Sequence, residues 1–153
     1  MKDLRNFYIN GQWVQPLQTQ DLAVENPATE ESLAIISLGA SGDVDLAVAA
    51  AKAAFPIYSQ YSVEQRIALM EKLLDVYMAR YDEMASAISM EMGAPISMAR
   101  EAQADAAIGH LQGFMDALAE LVDREVLSNG DILLREAIGV CGLITPWNWP
   151  MNQ

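Results

Sequence analysis

The segment that most restricts the possible folds is the apolar run at residues 140–144, which reads Val-Cys-Gly-Leu-Ile. Such a run is typical of a strand that is buried on both faces, and such strands need parallel neighbours and covering helices. Pro150 follows a short loop and suits the first position of a helix, because its missing N–H costs nothing there. A strand, a loop and a helix start form half of a β-α-β unit. The sequence therefore predicts an α/β fold, and we expect the chain to be a truncated piece of a longer protein.

The residues at the start of the chain predict a small β region. Two β-prone triplets flank Asn10 and Gly11, and this pair is typical of a hairpin turn because both central residues need a positive φ. A second pair of strands is predicted at residues 22–25 and 32–38, with a turn at residues 26–27 between them.

Helical spacing of apolar residues predicts several amphipathic helices in the middle of the chain. Ser41 is the expected N-cap of the first helix, and residues 62–65 form a capping box for the second. A third helix is predicted from about residue 82 to residue 92, with Gly93 as its C-terminal signal. The last predicted helix has a long apolar face that extends over residues 104–122.

Composition excludes several classes of function. The formal net charge is -12 and the nine basic residues are scattered, which argues against nucleic acid binding. Cys141 is the one cysteine, so no internal disulfide indicates secretion. The N-terminus lacks an apolar signal core. The longest apolar stretch, residues 138–145, is far shorter than the roughly 20 residues of a membrane helix. We therefore expect a cytoplasmic protein with no membrane partner.

The segment at residues 138–150 closely resembles part of the aldehyde dehydrogenase superfamily. Its Pro-Trp-Asn sequence, followed by an aromatic residue and another proline, is highly specific to that family. Other stretches of the chain resemble the family in the same order and spacing. Residues 7–14 resemble its opening hairpin, and residues 25–29 resemble its second turn. Residues 43–48 together with 53–55 are similar to its first helix, and residues 91–95 resemble its Glu-x-Gly-x-Pro pattern.

The resemblance implies an α/β, Rossmann-type cofactor-binding domain, of which this chain is the N-terminal part. Residues 1–122 are expected to form the hairpins and amphipathic helices of that domain. Residues 123–137 are expected to leave the compact body as a bridging and oligomerisation segment. Residues 138–153 are expected to start the nucleotide-binding sheet with its first core strand and then to stop.

The resemblance also assigns candidate site residues. It implies that the side-chain amide of Asn148 helps to form an oxyanion hole, whereas the residues alone also allow a turn asparagine held by local backbone bonds. It further implies that four residues just past the predicted strand line the nicotinamide half of the cofactor site. They are Ile144, Thr145, Pro146 and Trp147. The alternative for these four is an apolar packing corner.

The implied reaction is the oxidation of an aldehyde to its carboxylic acid through a thiohemiacetal, with NAD or NADP as cofactor. In the family the nucleophilic cysteine and the general-base glutamate lie further along the sequence, so we expect this chain alone to be inactive. The full-length enzyme is expected to be a homodimer or homotetramer. Two alternatives stay open: a non-catalytic interaction module of the same fold, and an acylating relative that forms a thioester.

Other reactive residues are expected to be structural. Cys141 lies within the predicted strand, so it is expected to be buried and inert. His110 stands alone on a helix and has no cysteine or second histidine to share a metal, which predicts a structural or surface role. Glu101 and Asp105 share a helix face and are expected to be solvated. No metal site is predicted.

Overall fold

The computed structural model describes residues 1–153 and opens with a short strand and a β-hairpin. Strand β1 spans Lys2–Asp3, β2 spans Phe7–Ile9 and β3 spans Gln12–Val14. Strands β2 and β3 pair in antiparallel fashion around Asn10 and Gly11, whose φ angles are 52° and 75°. Both residues therefore adopt the left-handed conformation that this turn requires, and the predicted hairpin is confirmed.

A three-stranded sheet lies next in the chain. Strands β4 (Asp21–Glu25) and β5 (Ser32–Ser37) are antiparallel, and β1 adds to β5 in parallel, so the strand order is β1-β5-β4. The predicted second pair of strands is thus confirmed. Ser37 is buried, and its hydroxyl accepts the Gln20 backbone N–H at 2.9 Å, which ties the approach to β4 to the end of β5.

Helix α1 spans Ser41–Tyr58, and its N-cap is Ala40 rather than Ser41. The prediction for Ser41 was wrong because the Asp43 carboxylate secures this terminus instead. One oxygen, Oδ2, accepts the Ala40 N–H at 2.9 Å, and the other, Oδ1, accepts the Leu17 N–H at the same distance. Asp43 is only 5% exposed, so the start of α1 is bonded to the segment that follows the hairpin.

Helix α2 (Val63–Ala79) begins, and helix α3 (Tyr81–Met92) ends, at the local signals that predict these two termini. At α2 the Ser62 hydroxyl accepts the Gln65 backbone N–H at 3.3 Å, and the Gln65 side chain accepts the Ser62 N–H at 2.9 Å. The capping box is therefore confirmed. Gly93 ends α3 with a φ of 79°, which confirms it as the C-terminal signal.

The last long helix contains a π-helical segment. Helix α4 (Ile96–Met98) continues through π-helical residues Ala99–Ala104 into α5 (Asp105–Ala119). The helix ends at Ala119, three residues before the predicted apolar face does. The π-helical segment packs against α3, and the buried residues there are mostly small: Ala85, Ile88, Ala94, Ala99 and Ala104. Small side chains allow this close approach of two helices. No helix of the structure is both long and apolar enough to cross a membrane.

A second hairpin follows the helices. Strands β6 (Arg124–Val126) and β7 (Ile132–Leu134) pair in antiparallel fashion, and all six of their residues are exposed. The two strands are joined by a turn around Asn129 and Gly130, where Gly130 has a φ of 90°. The hairpin is tied to the end of the preceding helix by the Arg135 guanidinium, which donates to the Val122 carbonyl at 2.7 Å.

The predicted buried strand at residues 140–144 is not formed in this chain. Residues 138–146 run without sheet partners, and Leu143 is 86% and Ile144 is 99% exposed. The physical reason is that a parallel strand is stabilised only by hydrogen bonds to neighbouring strands. The chain places neither such neighbours nor a covering helix against this segment.

Candidate functional site

The predicted cofactor-binding residues follow one another in a single exposed segment, residues 144–147. Ile144 is 99% exposed and Trp147 is 79% exposed. An apolar wall formed by an aliphatic and an indole side chain is the kind of surface that packs against a flat heteroaromatic ring. These residues therefore fit the nicotinamide part of a dinucleotide. None of them carries a positive charge, so they do not fit its phosphates.

Asn148 lies in a bend at residues 147–149 and is exposed. In the sequence it lies between two tryptophans, of which Trp147 is exposed and Trp149 is half-buried. Its side-chain amide is a neutral N–H donor in the residue that directly follows the segment at residues 144–147. Such a donor can stabilise a negative charge that develops on an oxygen placed against it.

The chain after Asn148 is anchored to the helices. A turn of 3-10 helix spans Pro150–Asn152, with Pro150 at its start as predicted, and the Asn152 N–H donates to the Trp149 carbonyl at 3.0 Å. Met151 packs against the alanine-rich cluster between α3 and the π-helical segment. The His110 imidazole Nε2 lies 2.8 Å from the Asn152 side-chain oxygen Oδ1. Three separate contacts therefore hold the C-terminal side of the bend.

The contact between His110 and Asn152 was not predicted from the sequence. His110 and Asn152 are 42 residues apart, and neither belongs to a motif that indicates a contact between them. The His110 imidazole is exposed and bonds to a side chain of its own chain, and its expected structural or surface role stays a prediction. The only available signal was the position of Asn152 just after the candidate segment.

Cys141 is exposed, so the prediction that it is buried was wrong. The prediction assumed the covering layers of a two-sided sheet, and the chain forms no such layers around this residue. The thiol Sγ lies 3.9 Å from the Gly139 carbonyl, a weak local contact. The only imidazole of the chain, His110, is bonded to Asn152 and not to this thiol.

The structure brings together no group of three or more His, Cys, Asp or Glu side chains that could hold a metal ion. Glu101 and Asp105 are both exposed, as expected. A groove of about 540 Å³ between α2 and α5 is lined partly by acidic side chains, and it does not include residues 144–148.

The comparisons with known proteins all lead to one family. The family profile named "Aldehyde dehydrogenase family" matches residues 13–153. The chain is 46% identical to a 3-succinoylsemialdehyde-pyridine dehydrogenase from a Pseudomonas species, over 100% of this chain and 32% of that protein. It therefore spans about a third of the length of the curated relatives that it matches.

Two solved structures resemble the fold closely. An aldehyde dehydrogenase from Bartonella henselae gives a TM-score of 0.97 at 49% identity and covers 100% of this chain and 33% of its own. A mutant of aldehyde dehydrogenase C from Pseudomonas syringae, in complex with NAD+ and octanal, gives 0.92 at 46% identity and covers 97% and 30%. These likenesses confirm the predicted fold class, the N-terminal part of an aldehyde dehydrogenase-like α/β domain. Because the profile spans nearly the whole sequence and the helices and hairpins superpose on solved members, this chain belongs to the aldehyde dehydrogenase family.

Proposed function

We propose that this chain is the N-terminal third of an NAD(P)-dependent aldehyde dehydrogenase that oxidises an aldehyde to its carboxylic acid. The observation that carries the proposal is the family match over residues 13–153, together with an exposed Asn148 that directly follows the segment at residues 144–147. The relative from Pseudomonas syringae was solved with NAD+ and octanal, which supports a dinucleotide and an aldehyde as ligands of this enzyme too.

In this proposal the chain contributes two parts of the site. Ile144, Thr145, Pro146 and Trp147 hold the nicotinamide ring and exclude water from one side of it, because their exposed surface is mostly apolar. Bound NAD(P)+ supplies the hydride acceptor. Asn148 donates its amide N–H to the aldehyde oxygen, which becomes negatively charged when a nucleophile adds to the carbonyl carbon.

The nucleophilic thiolate and the base that activates water are assigned to the rest of the enzyme. Attack of the thiolate gives a thiohemiacetal, loss of hydride gives a thioester, and water releases the acid and restores the thiol. Cys141 is not the nucleophile in this scheme, since its thiol contacts the Gly139 carbonyl and the one imidazole of the chain is bonded to Asn152. The chain alone would then lack a complete active site and would be inactive.

Three further features belong to the same proposal. Residues 1–122 form part of the cofactor-binding domain, residues 123–137 form a bridging segment, and residues 138–153 start the nucleotide-binding sheet. The exposed β6–β7 hairpin supports the bridging role. The enzyme is a cytoplasmic homodimer or homotetramer that uses neither nucleic acid nor membrane.

The test compares Asn148→Ala and Trp147→Ala in the full-length enzyme. Asn148→Ala should lower kcat by roughly 10²–10³-fold with little change in cofactor KM, because the donor acts at the reacting carbon. Asn148→Asp should be at least as harmful, since a carboxylate repels the forming oxyanion. Trp147→Ala should instead raise cofactor KM through the loss of packing against the nicotinamide.

Circular dichroism melts of each variant control for folding. The purified 153-residue chain is the negative control and should form no NAD(P)H from aldehyde. An Asn148→Ala enzyme with unchanged kcat and a raised cofactor KM would show that Asn148 is a structural loop residue. Cys141-dependent NAD(P)H formation by the 153-residue chain would show that the nucleophile lies here after all.

A further inference from the structure

We propose that His110 is a positioning residue for Asn148 and that it acts through a hydrogen bond to Asn152. The inference rests on the proposed function, because it assumes that the Asn148 amide meets the reacting oxygen. The observation behind it is the 2.8 Å contact between the imidazole Nε2 and the Asn152 side-chain oxygen Oδ1. With an oxygen as the partner, the imidazole Nε2–H is the donor.

The backbone at His110 is held in place because it belongs to helix α5. It lies in the middle of this helix, and three residues on the same helix are buried: Ala107, Met115 and Leu118. Ala107 precedes His110 by one helical turn and is 6% exposed, so the backbone beneath the imidazole is packed against the body of the protein. A donor on such a backbone has little freedom to follow a moving loop.

Asn152 connects the His110 imidazole to the bend that contains Asn148, because both asparagines lie within five residues of chain. The 3-10 turn Pro150–Asn152 closes on Trp149 through the Asn152 N–H, and Trp149 directly follows Asn148. Met151 packs against the alanine-rich cluster, so the same turn is held by an apolar contact on one side and by His110 on the other. Two contacts of different kinds restrict both the position and the rotation of the turn.

The other side of the bend offers no comparable support within this chain. Residues 138–146 run without sheet partners, and Leu143 and Ile144 are almost fully exposed. Within this chain the bend that carries Asn148 is therefore held from its C-terminal side. Because a donor must lie within a few tenths of an ångström of its productive position, a loosened turn should reduce the rate more than binding.

The experiment measures steady-state kinetics of the full-length enzyme with His110→Ala, Asn152→Ala and the double variant. Each single substitution should lower kcat about 10- to 100-fold, with KM for aldehyde and for cofactor nearly unchanged. The double variant should be no slower than either single one, because both changes remove the same bond. Additive losses, or an effect on KM alone, would overturn the proposal.

A second cycle tests whether the bond acts through Asn148. In an Asn148→Ala background, His110→Ala should have no further effect on kcat, since the group that it positions is gone. A further loss of the same size in that background would mean that His110 has a general structural role. If Asn148→Ala lowers kcat and His110→Ala does not, this inference fails and the proposed function stands. If Asn148→Ala leaves kcat intact, both fail.

Two more variants separate positioning from folding. His110→Gln keeps an N–H donor of similar reach and should recover most of kcat. Gln112→Ala is the matched control, because Gln112 lies on the same helix and bonds only to the Asp116 carboxylate, at 3.2 Å. It should leave kcat unchanged. If His110→Ala does not fold, Asn152→Ala removes the same bond from its other partner, and a normal kcat for Asn152→Ala overturns the proposal.

Discussion

Two tyrosine hydroxyls contact the π-helical segment directly. The Tyr77 hydroxyl donates to the Ala104 carbonyl at 2.7 Å, and the Tyr81 hydroxyl donates to the Arg100 carbonyl. The two rings meet edge to face with their centroids 6.2 Å apart. A π-helical segment departs from the usual hydrogen-bonding pattern of a helix, so outside donors to its carbonyls stabilise it.

Tyr77 should make stability depend on alkaline pH. Burial raises the pKa of Tyr77 above its usual value, and the charges of Tyr81 and Asp105 add to this effect. The unfolded chain therefore loses this proton first as the pH rises. The stabilisation is fully present below the ordinary tyrosine pKa of about 10 and is lost as the pH rises through the higher folded value.

Tyr77→Phe tests this at one position. At pH 8 it should lower the free energy of unfolding by about 1 kcal/mol, because the hydroxyl hydrogen bond is lost and the ring is kept. Above about pH 10 the difference between the wild type and the variant should shrink. Denaturant titrations of the wild type and the variant at pH 8 and above about pH 10 measure this difference in the free energy of unfolding. A difference that stays constant, or grows, with pH would contradict the assignment.

At the scale of elements, the helix ends follow local chemistry wherever the capping groups are close in sequence. The capping box at α2 is built from Ser62 and Gln65 alone, and both side chains are exposed. The start of α1 depends instead on Asp43, which also bonds to Leu17 across 26 residues. The first case is readable from sequence and the second is not.

Ser62→Ala should lower the free energy of unfolding by about 1 kcal/mol, because it leaves the Gln65 backbone N–H without its acceptor. Ser86→Ala is a matched control within α3, where the hydroxyl donates to the Asp82 carbonyl one turn earlier. It should be neutral or slightly stabilising, since alanine is the better helix former. Equal losses at both positions would show that the capping bond contributes nothing.

At the scale of the whole molecule, many large apolar side chains are exposed to solvent. Only 12 of its 153 residues are buried, and the exposed side chains include Ile138, Leu143 and Ile144 at 86% or more. The β6–β7 hairpin adds several more exposed apolar residues. Surfaces of this kind mark places where other protein packs.

The isolated 153-residue chain should therefore self-associate. Light scattering coupled to size-exclusion chromatography should give a mass above that of one chain, because unpaired apolar segments associate with each other. Replacing Ile138 and Leu143 with lysine should reduce the association. The same replacement at Val76, which is 52% exposed on α2, should have a smaller effect. A clean monomer with a cooperative melt would contradict this expectation.

Several turns and helix ends were determined by the sequence alone, because the interactions that form them are local. The turn at Asn10 and Gly11, the capping box at Ser62 and the helix end at Gly93 each depend on residues within a few positions of one another. The motif around Asn148 also identified the family, although its catalytic role stays a prediction.

Only the tertiary structure decided the rest, because those contacts join residues that are distant in sequence. Asp43 replaces Ser41 at the start of α1 through its bond to Leu17, and His110 meets Asn152 across 42 residues. The segment at residues 140–144 has the composition of a buried strand and is not one here. Composition can favour a strand, but the strand forms only when neighbouring backbone groups are present to bond with it.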